Sequence, residues 1–291
     1  MSRREPRLVV ATSEEFLDLD DSWPLLREAL TAKGMESSVV AWTDPTVDWA
    51  RADLVLAMFA WGYVSHRRPF VAWAYEVEAQ TRLVNSAAVL EWGSDKKYLM
   101  DLAAEGVPIV PTQWVPPGGQ WQSPSDDYVI KPSVASGGMG AARYVDQDAT
   151  QADRHIRGLH ADGQLVMVQP YQATIDAEGE TALIFLSGTY SHAIHKEALL
   201  RADVGVTERL WEQQVISAAR PRRDQQLLGE TVMAAVARMV GPTTYARVDV
   251  VDGPGGMPLV LEVEVVEPSL FLNHWPDAAP QLASQLRSLG R

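Results

Sequence analysis

Strand-length apolar runs separated by helices fill the first third of the chain, and this alternation restricts the fold more than any other feature. Residues 7–12, 37–42, 52–61 and 82–86 read as strands. After the first, Leu25, Leu26, Ala29 and Leu30 share one helical face behind an Asp21-Ser22 cap and Pro24, and Gly34 ends the helix. A Thr43-Asp44-Pro45 turn joins the second and third strands, and residues 69–80 form a helix opened by Pro69. Buried strands alternating with helices predict an α/β unit, with a parallel sheet and helices on its faces.

The pattern then changes. Ser94 can cap a helix over 95–106, which places Lys96 in its first turn. Residues 108–115 and 127–133 read as strands around a Pro116-Pro117-Gly118-Gly119 turn. A small-residue loop over 133–141, a short strand over 142–145, a helix over 150–161 and a strand over 165–171 complete a small α+β unit. Residues 180–186 and 189–198 flank Ser187-Gly188 as a hairpin. A helix over 223–240, strands over 244–252 and 258–267, and an amphipathic helix over 276–289 close the chain.

Composition removes several classes of function. There is no cysteine, which excludes disulfides, thiolate metal sites and cysteine nucleophiles, and is compatible with a reducing cytosol. The basic opening residues precede an apolar run too short for a signal-peptide core, and no run reaches the ~18 apolar residues of a membrane helix. A soluble, cytoplasmic protein without a membrane partner is expected. The net charge of -13 argues against nucleic acid as a partner. No Walker A, G-x-S-x-G or strand-linked G-x-G-x-x-G motif is present. The six histidines lack metal-ligand spacing, and packing or surface roles are expected for most of them.

Acid is concentrated near the C-terminal end. Six carboxylates and no Lys or Arg lie between Val248 and Leu286. On residues 258–267, strand alternation puts Leu259, Leu261, Val263 and Val265 on one face and Glu262 and Glu264 on the other, their Cα atoms about 7 Å apart. The preceding strand puts Arg247 and Asp249 opposite Ala246, Val248 and Val250. If the two strands pair, Asp249, Glu262 and Glu264 converge beside Arg247, as a divalent-cation site requires; the alternative is a solvated face with an Arg–Glu pair. Lys131-Pro132 followed by the loop 133–141, with Ser136, Gly137 and Gly138, allows backbone N–H groups to approach phosphate, or is a plain turn. Lys96 in a first helical turn opposes the helix dipole, and Lys196 shares a strand face with His192 and Ile194. Either is otherwise an ordinary surface lysine.

The order of these features resembles the ATP-grasp superfamily over nearly the whole chain. It is most similar to actinobacterial proteins of about 300 residues that include the cyclo-ligase type of D-cycloserine biosynthesis. The resemblance implies an ATP-grasp fold with a Rossmann-like N-terminal domain (1–93), a small α+β central lid (94–172) and a C-terminal α+β domain (173–291). It implies ATP and Mg2+, or Mn2+ in its place, with nucleotide phosphates at Lys96, Lys131 and the loop around Ser136, Gly137 and Gly138. Gln169, Pro170 and Tyr171 would meet adenine, and Glu180 the ribose. Lys196 and Arg247 would act on the transferred phosphate, Asp249, Glu262 and Glu264 would bind the metal, and Glu267 and Ser269 would face the acceptor.

The implied activity is an ADP-forming ligation of a small carboxylate, amino-acid-like substrate through an acyl phosphate, in natural-product biosynthesis. Cyclisation, a small-molecule kinase and a non-catalytic nucleotide-binding protein are the alternatives, and a homodimer is compatible with all of them. Where relatives commonly read Arg-Ser-x-Trp-Asp-Tyr, this chain has Met58-Phe59-Ala60-Trp61-Gly62-Tyr63, and a Trp-Asn pair is replaced by Trp92-Gly93. Met58, Trp61 and Tyr63 are therefore expected to line a more apolar substrate pocket.

Overall fold

The computed structural model of the protein describes residues 5–145, 149–200, 205–207 and 214–290; the first four residues of the basic opening lie outside it. The expected parallel sheet is present. It comprises β1 (Arg7–Thr12), β2 (Glu36–Ala41), β3 (Leu54–Phe59) and β4 (Leu83–Val84), in the order β2-β1-β3-β4 with every pairing parallel. Helices α1 (Ser22–Ala32) and α2 (Arg67–Glu78) make the crossovers around it. Residues 87–93, which sequence alone left unassigned, form α3 (Ala87–Gly93), with the Ser86 hydroxyl accepting from Val89 N–H.

Helix α4 (Tyr98–Ala104) begins later than the sequence suggests. Lys96 therefore precedes the helix instead of sitting in its first turn, and the dipole argument does not apply to it. A second sheet holds β5 (Gln113–Val115), β6 (Tyr128–Pro132), β7 (Ala142–Tyr144) and β8 (Val166–Pro170), antiparallel in the order β5-β8-β6-β7 and backed by α5 (Ala149–Ala161). After the one-turn α6 (Ile175–Glu178) comes a third sheet of β9 (Glu180–Leu186), β10 (Thr189–Lys196), β11 (Ile216–Ala219), β12 (Tyr245–Asp252) and β13 (Pro258–Glu264). It is antiparallel in the order β11-β10-β9-β12-β13. Strand β11 was not foreseen. Ser187 and Gly188 both have positive φ, the backbone a two-residue hairpin needs.

Alternation along the third sheet sorts its residues. Leu183, Phe185, Ala193, Ala246 and Val248 face α4 and α7 (Arg223–Met239) in one core. Ala182, Ile184 and Ile194 face the other way and join the core of the parallel sheet, α1 and the closing helix α8 (Ala278–Leu289). Asn85 fastens the two units at positive φ: its amide donates to Tyr245 O at 3.0 Å and Val265 O at 2.7 Å, and its carbonyl accepts from Thr244 N–H at 2.7 Å. Among the described residues no helix is long and apolar enough to cross a membrane.

Candidate active site

The face of the third sheet that carries Ala182 and Ile194 is apolar at one end and charged at the other. Strand register fixes the charged end: Lys196 lies opposite Glu180, Asp249 opposite Glu262 and Arg247 opposite Glu264. Lys196 Nζ donates to Glu180 Oε2 and Asp249 Oδ2, both at 2.8 Å. The Arg247 guanidinium donates to both oxygens of Asp249, at 2.8 and 3.0 Å, and to Glu264. Lys96 Nζ reaches Glu262 at 2.9 Å and the Ala135 carbonyl at 2.6 Å, joining the acidic strand to the loop over 133–141.

One expectation about β13 is corrected. A bulge falls between the Asp249–Glu262 and Val250–Val260 pairs, so strict alternation stops at Leu261. Val260, Val263 and Val265 enter the core under α7, whereas Leu259 and Leu261 pack with Val110, Ile175 and Tyr171. The Tyr98 hydroxyl accepts from Val263 N–H at 3.0 Å beside this irregularity. The four leucine and valine side chains thus do not share a face.

These groups wall a cleft of about 600 Å³. All the expected nucleotide and metal residues line it: Lys96, Lys131, Ser136, Gly137, Gly138, Gln169, Pro170, Tyr171, Glu180, Lys196, Arg247, Asp249, Glu262 and Glu264. Trp61, Glu267 and Ser269 line it too. Two expected substrate residues do not. Met58 is 1% exposed inside the core of the parallel sheet, because its strand position turns it inward. Tyr63 lines only a small adjoining recess between Ser94, Lys96 and Glu267. Sequence reasoning missed Val110, Val129 and Leu261, an apolar collar recognisable only once the bulge and chain crossing are known. It gave His274 no site role, and His274 lies on the cleft wall with Phe271 and Asn273.

Electrostatics follow from burial. Asp249 is 2% exposed, yet Arg247 and Lys196 overcome the cost of burial and hold its carboxyl down to about 2. Burial, helped by the charges of Glu262 and Asp249, pushes Glu264 up to about 7 against the pull of Arg247. Burial and the Glu264 charge push Glu267 up to about 8. Burial lowers Lys131 to about 8 despite nearby Glu262. Among the described residues no three carboxylate or imidazole groups close around a metal position; each carboxylate of the set is turned to a lysine or arginine instead. The donor chemistry still fits a hard cation. Three carboxylates share one wall, and Mg2+ commonly takes one or two of them plus substrate phosphate oxygens.

Residues 8–85 match a family model described as the N-terminal domain of D-cycloserine synthetase DcsG. Cycloserine biosynthesis protein DcsG of Streptomyces lavendulae is 36% identical over 294 residues, covering 96% of this chain and 97% of that protein. The chain belongs to the DcsG family. The crystal structure of D-cycloserine synthetase DcsG superposes with a TM-score of 0.89 at 34% identity, covering 98% of this chain and 100% of that one. D-alanine–D-alanine ligase from Bacillus anthracis, complexed with ATP, shares the fold at a TM-score of 0.68 and 13% identity, covering 98% and 97%. The fold is therefore ATP-grasp and this DcsG-family protein is an ATP-dependent ligase; ligases of this fold use ATP and a divalent metal. Its two glycine departures are sterically locked. A Cβ at Gly62 would stand 2.3 Å from Ser13 Oγ, which already accepts the Gly62 N–H at 2.8 Å. A Cβ at Gly93 would stand 2.3 Å from Val265 Cγ2.

Proposed function

We propose that the enzyme transfers the γ-phosphate of ATP to the carboxylate of a small amino-acid-like substrate, releases ADP, and lets an amine displace the phosphate, in antibiotic biosynthesis. The observation that carries this reading is the gathering of four cations, Lys96, Lys131, Lys196 and Arg247, around the Asp249–Glu262–Glu264 set in one cleft, in a DcsG-family chain. In this reading Lys96, Lys131 and the N–H groups around Ser136, Gly137 and Gly138 hold the phosphates. Gln169, Pro170 and Tyr171 meet the adenine and Glu180 the ribose. Lys196 and Arg247 offset charge on the transferred group, while Glu267 and Ser269 face the acceptor.

Asp249, Glu262 and Glu264 would hold Mg2+, or Mn2+, which when bound screens the phosphate charge. A carboxylate oxygen bonds to the γ-phosphorus as its bond to the ADP oxygen breaks. The amine nitrogen then bonds to the acyl carbon as phosphate leaves, and the amine loses a proton. The fold supports boundaries at 1–93, 94–172 and 173–291, and the absence of cysteine is compatible with a cytoplasmic setting.

One observation favours ring closure within a single substrate: the full-length likeness to a protein named D-cycloserine synthetase. Both forms are tested by a screen of ADP release across amino acids and aminooxy amino acids, with product masses and hydroxylamine present or absent. ADP formation that requires a carboxylate, with hydroxamate trapped, is expected. A product lighter than its one substrate by a water indicates ring closure. AMP, or a stable phosphorylated product with no amine consumed, would overturn the ligation reading.

A further inference from the structure

Among the described residues, the buried cleft side chain Gln169 has a polar atom left free by an internal relay. Val110 is 1% exposed, and among the described residues its carbonyl receives one hydrogen bond, from the Thr112 hydroxyl at 2.9 Å. Thr112 has a single hydroxyl proton, so the oxygen that gives it to Val110 must act as an acceptor towards its other neighbour. That neighbour is the Gln169 side-chain amide, 2.8 Å away. Its nitrogen end must therefore point at Thr112. Reversing the amide would set two oxygens against each other, or take the proton from a buried carbonyl with no other donor, at a cost of about 1–3 kcal/mol.

Gln169 is 2% exposed and lines the cleft beside the Val110, Val129 and Leu261 collar. With its nitrogen committed, Oε1 has no hydrogen-bond partner among the described residues. The adjacent backbone offers no competing donor: Pro170 has no N–H, and Tyr171 N–H is already given to Asp127 O at 2.7 Å. This end of the cleft is thus set to accept a hydrogen bond.

We propose that Thr112 is a positioning residue for base selection: by fixing the Gln169 amide, it makes the cleft accept a purine with an exocyclic amino group at C6 and reject one with a carbonyl there. This rests on the reading of the cleft as a nucleotide site. Adenine offers the N–H that Gln169 Oε1 needs, whereas guanine would oppose oxygen to oxygen, and a site of this kind discriminates by leaving a buried group unpaired. Thr112→Val keeps the shape but cannot orient the amide, which is then free to turn its NH2 to a guanine oxygen.

The test is calorimetric titration of wild type, Thr112→Val, Thr112→Ser and Gln169→Leu with Mg-ATP and Mg-GTP, alongside melting curves. The wild type is expected to prefer ATP by at least about tenfold, the equivalent of one hydrogen bond. Thr112→Val and Gln169→Leu should bring the ratio towards one, and Thr112→Ser should restore it. A merely structural Thr112 would weaken both nucleotides equally and leave the ratio unchanged, which would overturn the proposal. A Gln169→Leu ratio equal to the wild type would do the same. Failure of wild type to bind either nucleotide would instead remove the nucleotide reading, and the proposal with it.

Discussion

At the level of single residues, the charged groups of the cleft are held in states that water would not permit. Glu264 and Glu267 keep protons to about pH 7 and 8 because burial and neighbouring carboxylates disfavour their anions. A carboxyl raised in the folded protein loses its stabilising contribution as pH rises from the unfolded value, near 4.5, through the folded one. Between pH 5 and 8 the metal-free enzyme should therefore lose stability through these two groups, against the opposite drift from His155 and His192, whose pKa values burial lowers. The difference in melting temperature between wild type and Glu267→Gln isolates the effect: the variant should gain relative to wild type as pH rises through that window. A difference independent of pH would show that Glu267 is not protonated there. Asn85 is the clearest structural test. Asn85→Ala removes three interior hydrogen bonds at a left-handed backbone position, and should cost about 2–4 kcal/mol in urea unfolding with the fold retained.

At the scale of elements, a charged cluster ties the second sheet to α6, which leads into the third. Arg143 on β7 donates to Asp127 at 2.8 Å and to both oxygens of Asp176 on α6, and its guanidinium lies 3.6 Å over the Tyr171 ring. The Tyr171 hydroxyl donates to Asp176 at 2.6 Å. Asp127 and Asp176 are partly exposed, so these ion pairs add little to global stability. Their effect is geometric, since they hold the strand-to-helix connection that forms one edge of the cleft. Arg143→Ala should raise KM for ATP several-fold with a smaller change in kcat, and Arg143→Lys should recover little because it can neither fork nor stack. Steady-state kinetics at saturating acceptor measure this; a pure kcat loss would mean that the clamp does not act on nucleotide binding. The bulge at Leu261 has the same scale. It turns an apolar residue into the cleft next to Glu262, and no alternation pattern anticipates it.

For the whole molecule, the cleft exists because residues of the second and third sheets line it together, with Leu19, Asp20, Asp21, Ser22 and Trp61 of the first unit completing its wall and Lys96 and the loop over 133–141 meeting the acidic strand. Each carboxylate of the proposed metal set is already paired with a cation, so metal and nucleotide should bind as one unit. ATP affinity measured by calorimetry should fall at least about tenfold in EDTA relative to Mg2+, and Mg2+ without nucleotide should bind weakly. Equal ATP affinity in both buffers would remove the metal assignment.

Much of this was determined by sequence alone. Period-two alternation and helical spacing depend on local geometry, so the parallel sheet, the Ser187-Gly188 hairpin and the shared face of Arg247 and Asp249 were legible from residue order. The family resemblance added the proposed phosphate and metal residues. Tertiary structure alone decided which side chains reach the cleft. Met58 reads as a pocket residue but faces inward, Lys96 precedes its helix, Leu261 is displaced by a bulge, and Thr112 acts on a strand more than fifty residues away. Such outcomes depend on register, on where helices begin and on packing between distant segments, and each is settled by burial and hydrogen-bond satisfaction across the whole chain, which no local pattern encodes.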